Sequence, residues 1–176
     1  ENAVELFQQV LATDPDNPLA LQAMSEIAER ILVQGERLLN KGQLAAVDEL
    51  VLDAAGAGVG EDVVAQLRNA ALDERQRLKT VADLLVTGQE LFNKGLLTEP
   101  SSGNAVMVLR NVQQLDPGNT AARSLLRRCA ERLAKAAIEA RGFGLLADAD
   151  QYLALALSIQ PDSTKWNELQ RQWQGS

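Results

Sequence analysis

The chain has 176 residues, 46% of them apolar, which is enough to cover a core without disulfide staples. A formal charge of −7 disfavours a surface built to neutralise nucleic-acid phosphates or anionic lipid, so no nucleic acid is expected as a partner. Histidine is absent and cysteine occurs once, at Cys129, which excludes His-based triads, Cys-His dyads, His-ligated zinc and an intramolecular disulfide.

Only 3% of residues are aromatic, while Ala and Leu abound, a composition that favours packed helices over a sandwich or barrel. The first predicted helix covers residues 2–13 and runs into Asp14-Pro15-Asp16-Asn17. Proline cannot continue a helix, aspartate suits a turn, and asparagine can cap the helix that follows, so D-P-x-N reads as a stop and then a start. The motif recurs as Asp116-Pro117-Gly118-Asn119, 102 residues on. Pro18 then stands at the first position of a second helix, 18–41. Ala20, Met24, Ile27, Ile31, Gly35 and Leu38 recur there at intervals of three and four, which puts them on one stripe.

Predicted helices follow at 44–56 and at 61–95, the latter admitting a break near 72. The pair Asn40-Lys41-Gly42 and Asn93-Lys94-Gly95 reads as C-terminal capping, with Lys near the helix end and Gly just past it. Thr98 to Asn104 reads as an insertion in a turn, before helices at 103–115, 120–142, 145–159 and 163–174. On helix 120–142 the stripe Ala122, Leu126, Cys129, Leu133, Ala137 and Ala140 repeats that of 18–41, so Cys129 is expected in the core. Trp166 and Trp173, seven apart, share a helical face and are expected to cap the end of the array or to form a docking ledge. No apolar run approaches about 18 residues, so this segment is not expected to insert into a membrane.

Sliding the sequence over itself by 102 gives 11 identities in 29 positions, from Asn2 on Asn104 to Arg30 on Arg132. A shift of 53 lays residues 32–44 over 85–97 with eight matches in 13. Two overlapping registers mean that a smaller unit repeats inside a larger one. That unit resembles the tetratricopeptide repeat: Ala3, Phe7 and Pro15 fit its second half literally. Ala105, Leu109, Pro117 and Ala149, Leu153, Pro161 fit with one aliphatic swap, and Val47, Val51, Val59 fit loosely. Gly35 and Gly88, with Ala137 as a third equivalent, stand where the first helix of the motif has its glycine.

The resemblance implies a single all-α domain over 1–176, a right-handed α-solenoid of antiparallel helix pairs with elongated first helices. Copy one would span 1–71, a connecting helix 72–103 and copy two 104–176. The first helix of the first pair is missing, so a glycine-containing helix like 85–97 is expected upstream. Groove positions of the family carry over to Leu32, Glu36, Leu39 and Asn40, to Leu85, Gln89, Phe92 and Asn93, and to Ile138 and Arg141. Leu32 and Glu36 disfavour a carboxylate clamp and favour an apolar or basic protein or peptide ligand. The alternative makes Leu32, Leu85 and Phe92 ordinary core.

Charge is uneven: residues 1–71 carry −8 and residues 104–176 carry +2, which raises head-to-tail association as one reading. The acid pairs Glu61/Asp62 and Asp148/Asp150 sit at expected helix starts, where acids favour the helix dipole. With no catalytic constellation and no phosphate-loop or metal spacing, the expectation is a non-catalytic interaction or scaffolding module without a cofactor. The wording of the stretch 95–132 also resembles tetratricopeptide-like segments of gammaproteobacterial cell-envelope proteins. That implies a periplasm-facing module of a larger protein, the alternative being a cytoplasmic adaptor of a signalling protein.

Overall fold

A computed structural model describes residues 3–174. The fold is all-α, with eight helices and no strand among the described residues: α1 (Ala3–Thr13), α2 (Pro18–Asn40), α3 (Leu44–Gly56), α4 (Glu61–Asn93), α5 (Ala105–Leu115), α6 (Thr120–Gly142), α7 (Leu146–Ile159) and α8 (Thr164–Gln174). Each end lies within two residues of the sequence expectation; the expected start at Asn2 falls outside the described residues. Helix α4 runs unbroken past residue 72, because Ala71-Leu72-Asp73-Glu74 offers neither Gly nor Pro to interrupt the backbone ladder.

Both D-P-x-N segments build the same turn. Asn17 accepts from the Ala20 amide at 3.1 Å, and Asn119 from the Ala122 amide at 2.9 Å, each with extended backbone. The same two side chains also donate backwards, Asn17 Nδ2 to Asp14 Oδ2 at 3.1 Å and Asn119 Nδ2 to Asp116 Oδ2 at 2.9 Å. One asparagine therefore satisfies an orphan amide of the new helix and pins the aspartate that precedes the proline. A third stop is variant: Ser163 donates its amide to the Gln160 carbonyl, and Asn167 Nδ2 reaches the Pro161 carbonyl at 2.7 Å.

Helix ends are equally regular. Gly42, Gly95 and Gly144 take φ of 68°, 78° and 78°, a left-handed conformation that other residues rarely adopt. In each case the glycine amide and the one after it bond back across the last turn: Gly42 to Leu39 and Gln43 to Leu38, Gly95 to Phe92 and Leu96 to Leu91, Gly144 to Arg141 and Leu145 to Ala140. These are Schellman caps, and Gly58 makes a fourth after α3. The N-K-G triplets thus serve as caps.

The chain divides into two compact units, Glu1–Leu78 and Lys79–Ser176. In the first, α1 packs on α2 and α2 on α3, over a core of Val47, Val51 and Ala54 with Val63, Val64 and Leu67 from the start of α4. In the second, α5 packs on α6, α6 on α7 and α7 on α8. Its core gathers Leu109 and Val112, Leu126, Cys129 and Ala137, Leu153 and Trp166, with Phe92 from the end of α4. Gly35 and Gly88 are buried where neighbours press on the helix: a Cβ at Gly35 would run into Leu67, and one at Gly88 would lie 2.7 Å from Leu109 Cδ2. That explains the glycine in both copies of the first-helix pattern.

Candidate partner-binding surfaces

In the first unit, the C-terminal end of α2 and the middle of α4 enclose an open depression of about 700 Å³. Leu39, Ala70 and Leu78 supply apolar walls, with Asn40, Asp73, Glu74 and Arg77 as the polar lining. Arg77 forks onto Glu74, its Nε 2.7 Å from Oε2 and its Nη2 2.6 Å from Oε1, so those two charges neutralise one another. Asp73 on the same wall leaves the lining acidic. Two predicted groove residues, Leu39 and Asn40, line this concavity; Leu39, like Leu32, is also half-buried against the core, and Glu36 is exposed.

The second unit treats its predicted groove residues differently. Phe92 is buried, and the guanidinium carbons of Arg128 and Arg132 lie 4.5 and 5.0 Å from its ring centre. Arg132 Nη1 also donates to the Phe92 carbonyl at 2.9 Å. The groove assignment of Phe92 is therefore corrected: two arginines from α6 roof the ring and make it core. Leu85 is half-buried on the same core, and Gln89 Nε2 donates to Asn93 Oδ1 at 2.8 Å along the outer face. Ile138 is exposed and lines a depression of about 660 Å³ with Lys135, Glu139, Lys165 and Trp166. Arg141 stacks on the Trp173 ring at 4.6 Å and approaches Asp150 at 3.8 Å.

The row of bases on α6 is thus largely engaged within its own unit. Arg127 and Lys135 approach Glu131 and Glu139 at 3.8 and 3.6 Å, exposed pairs of the kind worth well under about 1 kcal/mol. Trp166 is buried and Trp173 half-buried against the same core. Glu61, Asp62 and Asp148 stand in the first turns of α4 and α7, where the helix dipole favours them.

Cys129 is fully buried, and burial pushes its thiol up to about 11 despite the opposing pull of Arg132 and Arg128. The folded thiol holds its proton between its ordinary value of 9.0 and about 11, where the unfolded thiol ionises. Its contribution to stability is therefore complete below pH 9.0 and lost as pH rises toward 11. Native protein should react with a thiol reagent at pH 8 only as fast as it opens, whereas urea-unfolded protein should react at once; rapid native labelling would contradict the buried placement.

The 102-residue shift lays Asn104 on Asn2. Asn104 is the N-cap of α5, accepting from the Met107 amide at 2.9 Å, and it donates to the Thr98 and Pro100 carbonyls at 3.0 and 2.9 Å. Buried and fully used, it folds the inserted 98–104 segment onto the start of the helix. An asparagine just ahead of an apolar helical run was the available signal. In comparisons with known proteins, the chain matches no protein family, no curated protein and no solved structure.

Proposed function

We propose that this chain is a non-catalytic protein-interaction or scaffolding module, a tetratricopeptide-like, right-handed stack of antiparallel helix pairs duplicated at 102 residues. The repeat reading is supported by the matched turns: Asn17 and Asn119 cap 23-residue helices with the same bonds, and Gly42, Gly95 and Gly144 close helices in the same way. The partner site is the depression on the first unit, and the ligand is an apolar peptide bearing basic groups. One observation carries this: Leu39 and Asn40, placed on the groove by sequence, line a concavity whose wall keeps Asp73 beside a neutralised Arg77–Glu74 pair.

The test is a titration of the whole chain with two labelled peptides of equal hydropathy, one basic and one acidic, read by fluorescence anisotropy. The basic peptide should bind, and Asp73→Lys, an exposed substitution, should weaken it by about tenfold at low salt. Equal affinity for the acidic peptide, or no change in D73K, overturns the assignment. A bacterial, periplasm-facing location belongs to the same proposal; an alkaline phosphatase fusion to the parent protein should be active, and an inactive fusion places the module in the cytoplasm.

A further inference from the structure

The depression on the first unit already holds a cation of its own. Arg77 lies on the lining with Leu39, Ala70 and Leu78, and its guanidinium meets the Glu74 carboxylate edge to edge, Nε 2.7 Å from Oε2 and Nη2 2.6 Å from Oε1. Such a fork engages both oxygens at once, in a plane that a guanidinium matches and an ammonium does not. The Glu74 side chain is 21% exposed and that of Arg77 35%, so the carboxylate is the more enclosed of the two.

A basic ligand entering the depression therefore meets a carboxylate that is occupied. Displacing Arg77 breaks the fork without stranding its charge, because Asp73 is exposed and stands four residues before Arg77 on α4. That is the spacing and order in which an acid and a base pair best along a helix. Arg77 can pass from Glu74 to Asp73 by turning its side chain, while an incoming guanidinium takes both Glu74 oxygens. One charge-assisted fork replaces another, so apolar contact with Leu39, Ala70 and Leu78 decides the affinity. A lysine ammonium cannot rebuild the fork and loses the exchange.

We infer that Arg77 is a resident competitor for the ligand's own cation, and that the depression selects peptides carrying arginine beside an aliphatic residue, whose guanidinium moves Arg77 from Glu74 onto Asp73. This rests on the depression being the partner site, and adds which cation is read there and what occupies the carboxylate in the free protein. The groups that exchange are partly exposed, so the preference for arginine fades as salt rises.

The probes are three labelled peptides identical but for one position, next to leucine, that carries arginine, lysine or glutamate. Titrated into the intact 176-residue protein at low salt and read by anisotropy, the arginine peptide should bind about threefold to tenfold tighter than the lysine peptide, and the glutamate peptide weakest. Arg77→Gln should tighten the arginine peptide by about tenfold, because nothing has to be displaced. Lys79→Gln removes an equal charge from an exposed position two residues on and should change binding less than about twofold. Adding Glu74→Gln to R77Q should abolish both the gain and the preference for arginine over lysine. In the wild type, the Arg77 Nε–H NMR signal should shift as the arginine peptide saturates. An R77Q affinity no tighter than wild type, or an equal gain in K79Q, overturns the inference; where the wild type still binds and D73K weakens it, the depression itself stands as the partner site. Binding of no peptide to either wild type or R77Q overturns both.

Discussion

Leu109→Ala should lower stability by about 2–5 kcal/mol, and adding Gly88→Ala to it should recover about 1 kcal/mol, although Gly88→Ala alone destabilises. The reversal follows from one contact. Leu109 is fully buried, and a Cβ at residue 88 would stand 2.7 Å from its Cδ2 and 3.0 Å from its Cγ, so a packed neighbour must give way. Overpacking of that kind costs about 1–3 kcal/mol, which outweighs the gain of about 1 kcal/mol from replacing a mid-helix glycine. Once Leu109 is truncated, the new methyl enters space already vacated, and only the helical gain remains. Urea midpoints of the wild type, both single variants and the double variant form the cycle. A Gly88→Ala effect of the same sign and size in both backgrounds would mean that close approach to Leu109 is not why glycine stands there.

The helix ends were legible in the sequence because each is written in residues with a local task. Asn17 and Asn119 cap and clip, and Gly42, Gly95 and Gly144 take a backbone conformation that few others accept. Such signals act over four or five residues and need no knowledge of what packs where. The side-chain environments were less legible. Leu39 and Phe92 are aligned by the 53-residue shift, yet one lines an open wall and the other is core. The difference comes from Arg128 and Arg132, well over thirty residues further along the chain, whose guanidiniums close over the aromatic ring. Asn104 is a similar case: its capping bond is local, but its bonds to Thr98 and Pro100 depend on how an unpatterned insertion folds back.

Trp166→Ala should cost about 3–5 kcal/mol, and Trp173→Ala about 1–2 kcal/mol, measured as shifts of the urea midpoint. Trp166 is 7% exposed among the buried residues of its unit, so truncation removes a large apolar surface and leaves a cavity that α8 must collapse to fill. Val64, 102 residues earlier, is equally buried with a far smaller side chain, so the two cores are filled differently and Trp166→Val should recover only part of the loss. Trp173 is half-buried, and its ring is held from above by Arg141, which also reaches toward the Trp173 carbonyl at 3.5 Å. Losing a partly exposed cation–π contact and some packing is a smaller cost than emptying a core site. The ordering distinguishes an end-cap from a docking ledge. A ledge keeps its aromatic surface for a partner and contributes little to folding, so both variants would unfold like wild type while failing to bind. A cap does the reverse, and the burial of Trp166 places the larger effect on stability.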